Sequence, residues 1–398
     1  MNKKQLIIFN AFDYGSTGIL CNYLKETTVD DFEKTIFICS NKPKNNTADY
    51  YLYNNSSKLY RKLQSIKATI FNSYGFIGKK ATLKALEYVE CKISKDNQVI
   101  LSIHQIESSI FDFKSLLKFA HKVNGHIYIT LHDCWFFTGK CPYFDISKCE
   151  KWKHMCDICP NKRDFPSVKF KNIKSSYKKK IDLMLRHKDI ITFVCPSQWI
   201  ADRLEESPLK VLKHLVIHNG IKIYDTPTSD ESDSKVGLIA AAHPWSERKG
   251  LKYLKFLSNN IDYKKFSLTI VGVENSDGFS KNTLLFNVIS RERLFHEFAR
   301  NDYFLNPTLE DNFPTTNIEA LSCGLKIISF NSGGSCESFD KSTGISISKK
   351  TEEEFLRTIS TLGKNNDKGR CINRAKMYFS KDIFVTKYYN LFRNENNE

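Results

Sequence analysis

Short apolar, β-branched runs alternate along this chain with stretches of helical periodicity. Residues 6–9 (LIIF) form the first such run, followed by a Gly-Ser-Thr-Gly turn at 15–18 and a helix-like stretch from Ile19. Residues 35–39, 99–103, 127–131 and 191–194 repeat the strand pattern. Ser197 is placed to cap a helix over Gln198–Glu205, because its hydroxyl can accept from the free N–H groups of the first turn. Buried apolar strands separated by amphipathic helices predict parallel strands with crossover connections, an α/β sandwich.

The pattern breaks at Ile223. Residues 224–235 (YDTPTSDESDSK) are polar and acidic, the composition of a linker. A second alternation follows, with strands expected at 236–242, 268–271, 303–306 and 326–330 and helices at 251–257, 291–299 and 315–323. From Thr351 on the tail reads as helical. The expected organisation is therefore an N-terminal domain over 1–222, a C-terminal domain over 223–377, and a final helix over 378–398 that packs back on the first domain. No repeat of solenoid length is present. Two α/β halves joined by a hinge imply a ligand cleft between them, at the carboxyl ends of the strands.

A length of 398 residues with 41% hydrophobic content supports two cores and excludes a disordered chain. The longest apolar runs fall far short of the roughly 20 residues a bilayer crossing needs. Lys3 and Lys4 precede an apolar run that Asn10 and Asp13 interrupt too early for a signal peptide. These features suggest a cytoplasmic protein. The net charge of +16 favours polyanions as partners: nucleic acid, anionic lipid or phosphorylated substrates.

Five segments carry candidate chemistry. Gly15 and Gly18 bracket a turn before a helix, which can hold an anion on backbone N–H groups or can simply be a turn; it is neither a dinucleotide fingerprint nor a P-loop. LHDCW (131–135) ends a predicted strand. His132 there can bond a hydroxyl or move a proton, or form a structural pair with Asp133. WSERKG (245–250) follows the first strand of the second half, where Arg248 and Lys249 can clamp a diphosphate or merely line a basic turn. EDNFPTTNIEAL (310–321) sets Asp311 and Glu319 with seven residues between them, around a helix start at Thr315, Thr316 and Asn317. Gly333 and Gly334 form a second backbone nest directly after a strand.

In order and spacing, the last three segments resemble the donor-binding domain of the large retaining family known as glycosyl transferases group 1 (family four), with the two-Rossmann GT-B fold. LHDCWFFTGKCPYFDISKCEKWKHMCDICP and EDNFPTTNIEAL are similar to the subgroup that builds capsule, O-antigen, lipopolysaccharide and exopolysaccharide. The resemblance implies two Rossmann-like domains facing a cleft. It implies metal-independent transfer of a hexose-type sugar from a UDP- or GDP-sugar to a glycan or lipid-linked acceptor, with retention of configuration and no catalytic cofactor. By position, Glu319 would bind the ribose, Asp311 the donor sugar, and Arg248 and Lys249 the diphosphate. Thr315, Thr316, Asn317, Gly333 and Gly334 would complete the donor site. His132, with Asp133, would stand at the reaction centre, and Gly15 and Gly18 would line the phosphate side. The chain departs from the family where Asp311 replaces the usual Glu, with Glu310 beside it. The usual upstream arginine is replaced around His243, which leaves Arg248 to serve. Over 99–110 His104 is the one clear histidine.

Of the twelve cysteines, Cys134, Cys141, Cys149, Cys156 and Cys159 share the insert 134–160. Cys141, Cys149, Cys156 and Cys159 can close a tetrahedral structural zinc site; the alternative is reduced thiols packed under a loop. The stretch 58–80 mixes Lys58, Arg61, Lys62 and Lys67 with Leu59, Leu63 and Ile66, and suits an anionic membrane surface or an ordinary solvated helix face; a second basic stretch at 169–180 is less apolar. Together with the resemblance, this gives the expectation of a peripheral protein at the inner face of the cytoplasmic membrane. Two other readings compete. A basic, zinc-stabilised nucleic-acid-binding protein explains neither the acidic pair nor the two phosphate-type loops, and no nucleic acid is expected as partner. A sugar-nucleotide phosphorylase or epimerase of double Rossmann fold does not account for the two specific strings.

Overall fold

Residues 6–9 are wholly shielded from solvent, and strands buried on both faces favour parallel pairing under covering helices. The computed structural model bears this out. It describes residues 3–27, 30–41, 43–53, 57–71, 75–94, 96–106, 111–161, 166–167, 173–224 and 234–393. Parts of the linker (225–233), of the two basic stretches (72–74 and 168–172) and of the segment 99–110 (107–110) lie outside the described residues.

The chain divides into two units, Met1–Ile217 with Val385–Glu398, and His218–Phe384. The first contains a seven-stranded parallel sheet of β1 (Lys4–Asn10), β2 (Phe32–Cys39), β3 (Tyr50–Tyr51), β4 (Gln98–Ile103), β5 (His126–Thr130), β6 (Ile191–Cys195) and β7 (Lys213–Val216), in the order β3-β2-β1-β4-β5-β6-β7. β1 has β2 on one side and β4 on the other, so the winding reverses there. Crossovers leave to opposite faces at such a point and open a crevice at the strands' carboxyl ends. Ser197 caps the helix Gln198–Glu205 through its side chain, as its position predicts. The segment from Val385 packs on this same unit: Tyr389 Oη donates to Leu24 O at 2.9 Å, and Tyr388 Oη bonds Thr130 Oγ1 at 2.8 Å.

The second unit contains a six-stranded parallel sheet of β8 (Val236–Ala241), β9 (Phe266–Val271), β10 (Leu284–Phe286), β11 (Tyr303–Asn306), β12 (Lys326–Phe330) and β13 (Gly344–Ile347), in the order β10-β9-β8-β11-β12-β13. Here the winding reverses between β8 and β11. Both units are thus Rossmann-like, the α/β GT-B class that the resemblance implies. Among the described residues no helix is long and apolar enough to cross a membrane.

Candidate functional site

In the second unit, the loops leaving β8, β11 and β12 are bolted together at the reversal point. Leu309 N donates to Arg248 O at 2.8 Å, and Thr308 Oγ1 donates to the same carbonyl at 3.1 Å. Ser332 Oγ donates to Thr308 O at 2.5 Å. Gly334 N donates to Asp311 O at 3.0 Å. Gly333 has φ +57°, and a Cβ there would stand 1.8 Å from Asp311 O, so only glycine lets the two loops close. The candidates at 248–249, 311 and 333–334 therefore form one rigid surface.

On that surface Lys249 Nζ lies 2.5 Å and Arg248 Nη1 3.5 Å from Asp311 Oδ2. Burial alone would push the Asp311 carboxyl up, but the two cations overcome it and hold the group below its usual range. The acid that the resemblance gives to the sugar is thus engaged with the cations it gives to the diphosphate. Glu319 is paired separately, its Oε1 accepting from Arg291 Nη2 at 2.7 Å. Burial raises the Glu319 carboxyl above its usual value, with Arg291 opposing. Among the described residues Glu319 Oε2 has no hydrogen-bond partner.

Thr315 and Thr316 open the helix Thr315–Ser322, half-exposed, and no side chain caps it, so its first N–H groups remain available to an anion. Asn317 differs from that expectation. Its Oδ1 accepts from Asn306 at 2.8 Å, and its Nδ2 donates to Ser335 O and Ser338 Oγ, each at 3.0 Å. The fully buried amide braces the glycine loop and is not directed at a ligand. Beside the site, His243, Trp245, Lys255, Gly272, Glu274 and Phe279 help to line a cavity of about 290 Å³.

In the first unit, Asn10 stands at the end of β1. Its Oδ1 accepts from Gln105 N at 3.0 Å and its Nδ2 donates to Phe12 O at 2.8 Å. Gly15 and Gly18 begin the helix Gly15–Glu26, and a Cβ on Gly18 would lie 2.6 Å from the Asp13 carbonyl carbon, so the turn needs glycine there. Beyond β4 and β5, His104 Nδ1 and His132 Nε2 are 3.0 Å apart. One ring must accept from the other, so at least one is neutral. Loss of solvent lowers His132 to about 4, and burial with His132 alongside lowers His104 well below the usual imidazole value. Asp133 Oδ1 accepts from Trp135 N at 2.8 Å and ties the turn that follows.

The four cysteines of the proposed zinc set line a single cavity, yet among the described residues no three His, Cys, Asp or Glu side chains converge as a metal shell would require. Sequence reasoning missed Arg291, because nothing in SRERLF distinguishes it from Arg293. It also passed over Asn10, which registered only as a polar interruption of an apolar run.

Residues 234–365, covering all three bolted loops, match the family model described as Glycosyl transferases group 1. The chain is 26% identical over 324 residues to a protein of Escherichia coli (strain K12) named as a colanic acid biosynthesis glycosyl transferase, WcaC, covering 74% of this chain and 76% of that one. Its fold is similar to sucrose-phosphate synthase from Thermosynechococcus elongatus, with TM-score 0.67 at 12% identity and 99% of each chain covered. It is also similar to Anabaena HepE, solved in complex with UDP and glucose, with TM-score 0.62 at 11% identity over 99% of this chain and 100% of that one.

Proposed function

We propose that this chain is a group 1 glycosyl transferase that moves a sugar from a UDP- or GDP-sugar to a glycan or lipid-linked acceptor in surface polysaccharide synthesis, with retention of configuration and without a catalytic metal. The observation that carries this reading is the open Oε2 of Glu319 on a carboxylate fixed by Arg291, in the same unit as the cations Arg248 and Lys249 coupled to Asp311. A carboxylate oxygen with no protein partner is an acceptor for a ribose hydroxyl. Two cations on a rigid loop stabilise the charge that grows on a departing nucleoside diphosphate, and they need no reorganisation as it forms. The N–H groups at Thr315, Thr316 and Gly333 add uncharged donors to the same phosphates, while the Gly334 N–H, bonded to Asp311 O, holds the loop in place. The cavity lined by His243, Trp245 and Phe279, about 290 Å³, has the volume for a planar base.

His132 acts on the transferred sugar as a neutral ring, with His104 fixing its orientation. A neutral imidazole accepts or donates one hydrogen bond to a hydroxyl without adding charge next to a developing oxocarbenium ion. Gly15 and Gly18 offer backbone N–H groups on the same unit. The acceptor is met at a membrane: the helix Lys58–Phe71 shows Leu59, Leu63 and Ile66 at 66%, 54% and 45% exposure, flanked by exposed Lys58, Lys62 and Lys67. Such a stripe inserts its apolar residues between anionic head groups while the lysines meet the phosphates.

The test is a panel of UDP- and GDP-sugars offered to the pure enzyme, with release of nucleoside diphosphate and the anomeric configuration of the product as readouts. Turnover with one donor, an α-linked product from an α-linked donor, and full rates in EDTA are expected. Inversion, or dependence on a divalent ion, would overturn the mechanism as stated.

A further inference from the structure

A groove on the first unit lies outside everything assigned so far to sugar transfer. It runs between the helices Lys79–Glu90 and Phe113–Lys122 and has a volume of about 730 Å³, within the roughly 300–1,000 Å³ of ligand pockets. The twelve residues of the first helix, at about 1.5 Å each, make a wall about 18 Å long. Both helices begin at the carboxyl edge of the sheet. The first leads into the start of β4, and the second leads from the end of β4 into the start of β5.

The lining changes along that length. At the carboxyl edge stand Phe76, Lys79 and Lys114. Lys179 joins them from the helix Ile173–Arg186, its Nζ 4.8 Å from the centre of the Phe76 ring. Burial and the charge of Lys114 hold Lys179 below its usual range, with Asp112 opposing. The Asp112 carboxylate is engaged in capping, its Oδ2 accepting from Ser115 N at 3.2 Å and from Ser115 Oγ at 2.6 Å. An anion placed here relieves a repulsion built into the fold. Further along, Leu83, Leu86 and Phe119 make an apolar floor with Lys118 at its border, and Leu83 is 42% exposed. At the far end Lys122 and Glu90 close the groove as an ion pair of 2.7 Å, next to Glu87. Cations cluster at one end, both glutamates lie at the other, and apolar surface joins them. That pattern fits an anionic head on a hydrocarbon chain and favours one orientation of it.

The head end adjoins the turn that carries His132. The Phe76 and Trp135 ring centroids are 6.4 Å apart. A Cβ on Gly75 would stand 2.6 Å from the Trp135 ring, so this segment closes on the tryptophan through glycine. Trp135 is the third residue after His132 in LHDCW.

We propose that this groove seats a diphosphate-linked hydrocarbon, the anchor of a lipid-linked acceptor. The diphosphate lies among Lys79, Lys114 and Lys179, the chain runs along Leu83, Leu86 and Phe119, and the sugar at the head faces the turn after β5. The assignment rests on the reading of the chain as a sugar transferase and narrows its acceptor to a lipid diphosphate. Holding an anchor that does not react presents the acceptor hydroxyl already oriented, so binding far from the reacting atoms contributes to the rate.

Farnesyl diphosphate is titrated calorimetrically into the full chain, with UDP and GDP both at saturation to keep it from the donor loops. One ligand per chain is expected, at least tenfold tighter than farnesol or inorganic diphosphate, each of which lacks half of the match. Lys114→Glu and Leu83→Asp should each weaken binding at least tenfold. Both side chains are exposed, so melting temperature and nucleotide binding should stay unchanged. Absence of binding under nucleotide saturation would overturn the groove, as would unaltered affinity in both variants. Inorganic diphosphate binding equally well would reduce it to a plain anion site and overturn it too. Donor turnover is read in parallel. A chain that turns over a nucleotide sugar with a free glycan but ignores farnesyl diphosphate loses the groove and keeps the transfer reaction. A chain that binds farnesyl diphosphate in the groove but turns over no donor does the reverse.

Discussion

Lys249 Nζ and Asp311 Oδ2 are 2.5 Å apart, so the cation proposed to clamp a phosphate and the first acid of the pair form one unit. Lys249→Ala removes charge from the leaving-group side and leaves the buried Asp311 with Arg248 alone. We expect transfer to fall by about 30- to 1000-fold, equivalent to roughly 2–4 kcal/mol. Thermal stability should fall as well, and Lys249→Ala/Asp311→Asn should regain stability without regaining turnover. Melting curves beside donor kinetics check both halves; a fully active Lys249→Ala enzyme would remove the clamp from the mechanism.

Arg291 supports Glu319 through one oxygen. In Arg291→Ala, burial acts on Glu319 unopposed and its carboxyl rises further. Donor binding should weaken, and the acid limb of its pH profile should shift to higher pH. Glu319→Gln should abolish the limb. Isothermal titration with the nucleoside diphosphate across pH measures this, and an unmoved limb in Arg291→Ala would count against Glu319 as the titrating group.

His132 titrates near 4 in the folded protein, below the usual 6.5. The unfolded chain then binds more protons than the folded one between these values, so His132 contributes stability that is fully present above about pH 6.5 and lost as pH falls to about 4. A His132→Asn variant should lose this part of the acid sensitivity, read from denaturant melts at a series of pH values. Across neutral pH the wild-type rate should show no inflection from this ring.

Asn317 makes three buried hydrogen bonds that join β11, the helix Thr315–Ser322 and the turn after the glycine loop. Asn317→Ala leaves buried partners unmet and should cost about 1–3 kcal/mol of stability. Donor affinity should fall through disorder of Gly333–Gly334, visible as faster amide exchange there.

The stripe on Lys58–Phe71 should carry the protein to anionic vesicles at low salt, each lysine contributing about 1 kcal/mol near the surface. Sedimentation should weaken at high salt and in Leu63→Asp. Binding equal to neutral vesicles would instead point to apolar insertion alone.

The pattern of apolar runs made nine strands legible, with bounds within a few residues of those found. The four it passed over, β3, β7, β10 and β13, are the edges of the two sheets. An edge strand has a neighbour on one side only, needs less apolar sequence, and so leaves a fainter trace: KHLV and GISI carry exposed or half-exposed positions throughout much of their length. The candidate site was legible where a motif is local: the segments at Arg248–Lys249 and Gly333–Gly334 fall on loops that the structure ties to Asp311. It was illegible where function depends on a partner far along the chain. Glu319 and Arg291 are joined by a helix–strand crossover, and the role of Asn317 depends on Asn306 and Ser338.

The first unit is made of two separate stretches of chain, with the second unit lying between them in sequence. Phe32, Tyr128 and Thr130 find their buried partners in Tyr388, Tyr389 and Phe392, residues that follow the second unit in the chain. A ribosome making this protein from its first residue therefore releases the whole of the second unit before the first can finish its core. The early-made sheet must wait with that surface uncovered, and its completion is timed by the synthesis of the second unit.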